Sequence, residues 1–193
     1  MKQLLFYVAI IMFSGCHTLT KHQGSKADST SLLEVEYQFP QDWLGTYTGS
    51  LQAYRAGSNK NLYPSGVTLS IAATADSNRW EWSSVYTMDG REPIEKKYFI
   101  IHPDTLGSSQ YLMDEGNGIF INQHLYGNTF TGAYTVNDQF FTFTYTKIKE
   151  ELLYELTVYN NRPTESVEIE EGFEVGKIEM ATVQKVYFRK KQD

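Results

Sequence analysis

From about residue 37 onward, apolar and polar side chains alternate in short runs of period two, and turn residues separate the runs. The clearest is Gln139 to Ile148, where Phe141, Phe143 and Tyr145 point to one side and Thr142, Thr144 and Thr146 to the other. That alternation describes a strand with one face buried. Similar runs cover Gly45 to Ala53, Gly66 to Ala75, Arg79 to Thr87, Ile94 to His102, Gln110 to Met113, Gly118 to His124, Thr129 to Thr135, Leu152 to Tyr159 and Met180 to Arg189.

The breaks between runs carry turn chemistry: Asp76-Ser77-Asn78, Asp89-Gly90, Glu115-Gly116-Asn117-Gly118, Gly127-Asn128 and Asn137-Asp138. Tight turns of this kind join antiparallel neighbours. The expected fold is all-β, a single antiparallel up-and-down barrel of about eight to ten strands, with a two-sheet sandwich as the alternative. Two longer connections, Arg55 to Ser65 and Asn160 to Lys177, read as rim loops. Glu165, Glu168, Glu170, Glu171, Glu174 and Glu179 crowd the second, a density that fits a solvated loop face better than a cation site.

The first fifteen residues follow a different pattern. Lys2 precedes an apolar run from Leu4 to Phe13, of signal-peptide length and too short to span a bilayer. Phe13-Ser14-Gly15-Cys16 follows and resembles the lipobox of bacterial lipoproteins, although Phe13 stands where that motif has an aliphatic residue. Cys16 is the single cysteine of the chain, so it has no internal disulfide partner. The resemblance implies removal of residues 1–15 and acylation of Cys16, which would anchor the protein in a membrane. Residues 16–36 read as a polar tether and 37–193 as the barrel domain. His17 and His22 lie in the tether with no thiolate or carboxylate at ligand spacing, and read as solvated side chains. The expected location is the bacterial cell envelope, on the outer membrane if the host is Gram-negative.

Composition narrows the partners. The chain has 193 residues, 41% hydrophobic and 15% aromatic, with a formal net charge of −6. Its one dense basic run is the tail Arg189-Lys190-Lys191, so nucleic acid is not an expected partner. Oligomeric state is not legible in the sequence.

Trp43-Leu44-Gly45-Thr46-Tyr47-Thr48-Gly49 is similar to the opening of calycin-type barrels, the lipocalins, fatty-acid-binding proteins and nitrobindin-like domains. In that superfamily an early aromatic closes one end of the barrel and a late basic side chain packs over it. The resemblance therefore implies that Trp43 or Tyr47 meets Arg189, a cation–π closure. The lipocalin Gly-x-Trp is not matched, since Gln41 occupies the glycine position. The late histidine that ligates haem in nitrobindin-like domains has no counterpart, because the last histidine is His124, and no cofactor is expected.

A closed barrel of this size can enclose a small ligand. Trp80, Trp82 and Tyr86 share one face of a run, and with Phe141, Phe143 and Tyr145 they are the candidate cavity lining; plain core packing is the more favoured explanation of any one of them. No catalytic motif accompanies His102-Pro103-Asp104 or His124, and the Asp114 to Gly118 segment breaks the ligand alternation of a calcium loop. The expected function is a lipid-anchored envelope protein that holds a small apolar or amphipathic ligand in a barrel cavity. The alternative is a non-catalytic interaction module that binds a protein or glycan through its rim loops.

Overall fold

The computed structural model describes residues 37–192; the expected leader, Cys16 and the tether lie outside them. Residues 37–192 belong to one compact unit. Among the described residues every regular element is a strand: β1 (Gly45–Arg55), β2 (Ser65–Ala73), β3 (Arg79–Thr87), β4 (Ile94–Ile101), β5 (Gln110–Asp114), β6 (Phe120–Tyr126), β7 (Thr129–Val136), β8 (Gln139–Ile148), β9 (Glu151–Asn160), β10 (Glu165–Glu170), β11 (Phe173–Lys177) and β12 (Met180–Lys190). Ten of them close an antiparallel barrel in the order β1-β12-β9-β8-β7-β6-β5-β4-β3-β2, and β10 and β11 pair with each other outside it.

Closure follows from the alternation. In β2 the inward residues Val67, Leu69 and Ile71 are buried while their neighbours are half-exposed, and the ladder places Ile71 beside Trp82 and Leu69 beside Ser84 on β3. The same parity runs round the wall to Val186 and Phe188 on β12, which lie beside Tyr154 and Leu152 of β9. A register slip of one residue would turn every one of these side chains out to water.

The segment from Tyr37 to Leu44 plugs one end. Trp43 and Leu44 donate backbone hydrogen bonds to the Pro40 carbonyl, and the Tyr37 amide bonds the Asn128 side chain in the β6–β7 turn at 2.8 Å. This turn carries the Phe39 ring into edge contact with Trp80, Tyr111 and Phe130 at 4.8, 5.5 and 4.9 Å, and Trp43 meets Phe130 at 5.2 Å. Edge-to-face packing of this density suits the ring quadrupoles.

The wall is not uniformly zipped. β4 and β5 share three paired positions, Phe99↔Asp114, Ile100↔Met113 and Ile101↔Leu112, so Ile94 to Tyr98 have ladder partners on β3 alone. The β6–β7 ladder likewise ends at Gln123↔Gly132. The tip of the β5–β6 hairpin, residues 115–120, is therefore tied to neither side. Below it Arg79 braces the narrow ladder from outside, stacking over Phe99 at 3.8 Å and meeting Asp114 at 2.9 Å.

The stretch from Asn160 to Lys177, expected as a plain loop, contains the β10–β11 hairpin. Its sequence alternates Val167 and Ile169 with glutamates on one arm and Phe173 and Val175 with Glu174 on the other, and Gly172 takes the positive φ of 80° that the turn requires. The glutamate density hid that alternation. Glu165, Glu168, Glu171, Glu174 and Glu179 are solvent-exposed, as a solvated face requires.

Candidate functional site

The residues expected to line a cavity do face inward, though not all at one level. Trp80 belongs to the plug, against Phe39 and Tyr111. Trp82, Tyr86, Phe141, Phe143 and Tyr145 lie on the inward parity above it, with Trp82 and Tyr145 in edge contact at 5.0 Å. Three tyrosines join them that the sequence reasoning missed. Tyr98 lies across the ladder from Trp82, Tyr134 stacks on Phe141 at 4.8 Å and 4°, and Tyr154 pairs with Tyr145 at 4.6 Å. The interior above the plug is a well of phenol and phenyl rings.

These phenols are inward-facing but only half-buried, whereas Trp82 and Phe143 are buried. Desolvation raises every one of their pKa values: Tyr98 is pushed up to about 12 by burial, with the Glu115 carboxylate adding to it, and Tyr86, Tyr134, Tyr145 and Tyr154 shift in the same direction for the same first reason. Around neutral pH they are hydroxyl donors and acceptors, not phenolates. Glu115 sits on the untied β5–β6 tip, and the inward-facing Tyr98 of β4 and Tyr134 of β7 lie in the stretches that lack partners on that hairpin, so the gap in the wall borders the ring well. Ile94, Ile119, Phe120 and Val136, on the flanking segments, expose apolar side chains.

Among the described residues three buried side-chain donors lack hydrogen-bond partners: the Trp43 indole nitrogen in the plug, the Trp82 indole nitrogen and the Gln123 amide nitrogen. The Gln123 amide nitrogen lies over Gly132, where a Cβ would come within 2.9 Å of it, and it has no acceptor although Gln123 is 1% exposed. The Trp82 indole nitrogen is also unpartnered; it lies near enough to Tyr145 to moderate the rise of that phenol's pKa without making a hydrogen bond of ordinary geometry. Buried donors without acceptors are rare because each costs a desolvation penalty.

The closure expected of Arg189 is corrected. Arg189 lies opposite Thr48, on the outward parity, where its side chain is 84% exposed and pairs with Glu151 at 3.3 Å. Lys147 on β8 occupies the place instead: it is buried, and its ammonium donates to the Tyr47 hydroxyl at 3.2 Å. That hydroxyl donates in turn to the Trp43 carbonyl at 2.8 Å. Burial lowers the Lys147 pKa and pushes Tyr47 up to about 12, with Glu150 and Asp42 adding to the Tyr47 rise. The predicted pair Trp43 and Tyr47 is brought together, with a different cation.

No family model matches the chain, and no curated protein matches it. Among solved structures it is similar to the crystal structure of a protein of unknown function from the DUF3598 family of Nostoc punctiforme, with 15% identity and a TM-score of 0.54. The match covers 81% of this chain and 50% of that one, so the chain spans about half the length of that relative. What the two share is a fold.

One further concavity lies at the end opposite the plug. A cleft of about 670 Å³ runs between the β1–β2 loop and the β3–β4 turn, with Asn61, Tyr63, Ser65, Thr87, Asp89 and Arg91 among its walls. Asn61 shapes it by bonding the Ala53 amide at 3.0 Å and the Leu51 carbonyl at 3.3 Å. His102 and His124 contribute to neither region: the first packs on Tyr111 and the second stacks on Tyr126.

Proposed function

We propose that this is a lipid-anchored protein of the bacterial envelope whose calycin-like barrel takes up a small apolar or amphipathic ligand in its interior. The observation that carries the reading is the ring well, in which Tyr86, Tyr98, Tyr134, Tyr145 and Tyr154 face inward and stay half-buried. A core built only for stability would cover such rings completely. The ligand passes between the first half of β4 and the tip of the β5–β6 hairpin, where the ladder is missing and Ile94, Ile119 and Phe120 stand exposed among Glu95, Lys96, Lys97 and Glu115. The anchor rests on Ser14-Gly15-Cys16 behind the apolar run, and membrane attachment through acylated Cys16 is part of the same proposal.

Native mass spectrometry of the chain from Val35 onward, purified without detergent, tests the uptake. A bound small molecule, or saturable uptake of an apolar fluorophore that Trp82→Ala weakens, is the expected result. A barrel that retains no molecule and takes up no fluorophore would refute it. The second reading, an interaction module, is favoured by the open cleft of about 670 Å³ beside the β1–β2 loop, and it expects a partner that Tyr63→Ala or Arg91→Ala releases.

A further inference from the structure

The cleft at the end opposite the plug is built separately from the ring well, and none of the well's tyrosines lines it. Both of its walls are held by short local bonds. On one side the β1–β2 loop folds back on β1: the Leu62 amide donates to the Ala53 carbonyl at 2.8 Å, and the Asn61 side chain accepts from the Tyr63 amide at 3.3 Å as well as from that of Ala53. The Ser65 hydroxyl then donates to the Tyr63 carbonyl at 3.0 Å. On the other side the β3–β4 turn closes with the Arg91 amide on the Met88 carbonyl at 3.2 Å, and Gly90 supplies its positive φ of 69°. The cleft is therefore formed before any partner arrives, which lowers the cost of binding.

Its lining is chemically mixed. The Tyr63 ring is 57% exposed. The side chains of Ser50, Gln52, Asp89 and Arg91 make no hydrogen bond or ion pair with any described residue, so a hydroxyl, an amide, a carboxylate and a guanidinium line one concavity with their capacity unspent. The two charges cancel.

That combination sorts the possible occupants. An apolar chain would take water from Asp89 and Arg91 and return no hydrogen bond. A carboxylate or phosphate that met Arg91 would also meet the like charge of Asp89 in the same turn, and an ammonium would face the converse. A polyhydroxylated ring meets neither obstacle. Each of its hydroxyls donates and accepts, so it serves the carboxylate, the guanidinium and the amide alike, and its C–H face packs on an exposed aromatic ring. A volume of about 670 Å³ is ordinary for a site of this kind.

We infer that this cleft binds an uncharged glycan, with Tyr63 as the platform for a sugar ring and Asp89 and Arg91 as the groups that hydrogen-bond its hydroxyls. The inference rests on the interaction-module reading, for which it names the partner class, and it does not depend on uptake by the ring well.

A slide that carries neutral oligosaccharides, acidic oligosaccharides and a peptide library, probed with the full chain in detergent, separates the outcomes. Retention on neutral oligosaccharides is expected. For the best of them, Tyr63→Ala and Arg91→Ala should each weaken binding about tenfold, as the loss of a ring contact or a charged hydrogen bond would. Both side chains are exposed, so the two variants should melt with the wild type. Arg189→Ala, at the closed end, should bind as the wild type does. Preference for acidic oligosaccharides, or glycan binding that neither cleft variant weakens, would overturn the inference. Retention of peptides alone would overturn it and leave the interaction module standing, whereas retention of nothing would overturn both.

Discussion

Lys147 and Tyr47 are a hundred residues apart in the chain and 3.2 Å apart in space, and together they form the polar centre of the closed end. Lys147 also lies 5.1 Å from the Tyr47 ring centroid and 5.9 Å from that of Tyr37. A buried ammonium with one hydroxyl partner is expensive to keep, so Tyr47, Lys147 and Arg189 respond differently to substitution. Tyr47→Phe leaves the ammonium without its acceptor and should lower the unfolding free energy by about 1–3 kcal/mol. Lys147→Met removes the charge and leaves the Tyr47 hydroxyl bonded to Trp43; stability should stay within about 1 kcal/mol of wild type or rise. Arg189→Ala loses an exposed ion pair and should cost under about 1 kcal/mol. Urea midpoints at neutral pH measure all three, and a large loss in Arg189→Ala would contradict the assignment.

Alkaline pH provides a second test. The folded barrel holds Tyr47, Tyr86, Tyr98, Tyr111, Tyr134, Tyr145 and Tyr154 above the ordinary value of 10.0, so the unfolded chain gives up these protons first. The sign is fixed by linkage: these phenols leave stability unchanged below pH 10 and lower it as pH rises above 10 towards the folded values. Lys147 works in the opposite sense, because its penalty is complete below its depressed folded pKa and fades as pH climbs from there to 10.5. Absorbance of tyrosinate followed together with circular dichroism should show the interior phenols ionising in the same transition that unfolds the barrel. Smooth ionisation of all tyrosines near pH 10 with the sheet intact would contradict their burial.

The β10–β11 hairpin is dispensable to the barrel. β9 and β12 pair directly from Tyr159↔Met180 to Glu151↔Arg189, and the Asn160 amide reaches the Glu179 carbonyl at 2.9 Å just before the hairpin departs. Replacing residues 162–177 by a short Gly-containing turn should leave the melting temperature within a few degrees, since closing a shorter loop costs no more entropy. Loss of cooperative unfolding in that variant would mean that the hairpin carries part of the core.

Cys16→Ser should release the protein from the membrane fraction. The expectation rests on Ser14-Gly15-Cys16 after the apolar run, and detergent phase partitioning of the wild type and the variant reads it directly. Equal partitioning of the two would end the lipid-anchor reading and leave the barrel's ligand chemistry untouched.

Gly132→Ala probes the interior geometry. Its new Cβ would stand 2.6 Å from the end of the Phe143 ring and 2.9 Å from the Asn122 carbonyl, closer than the packing allows. A loss of about 1–3 kcal/mol is expected from the enforced shift, read as a lower urea midpoint with an unchanged slope.

The strands were legible in the sequence because a period of two is a property of each segment by itself: Phe141, Phe143 and Tyr145 announce an inward face whatever lies opposite. Tight turns at Asn137-Asp138 and Gly127-Asn128 made consecutive strands neighbours, and about ten such neighbours imply closure. The inward parity of Trp82, Tyr86 and the β8 aromatics followed from the same rule. Tyr98 and Tyr154 obey it too, but they sit in runs where Lys96, Lys97 and Glu155 or an unbroken Leu152-Leu153-Tyr154 blur the alternation. What only the tertiary structure decided is which side chains from distant strands share a level. The period of two puts Lys147 on the face of Phe141, Phe143 and Tyr145, but nothing local says that it meets Tyr47 in place of Arg189. The register does: Arg189 pairs with Thr48 and turns outward, while Lys147 pairs with Leu152 and turns inward. The untied β5–β6 tip and the unpaired Gln123 amide are likewise properties of ladders that stop short, and the stopping points depend on how the whole wall closes.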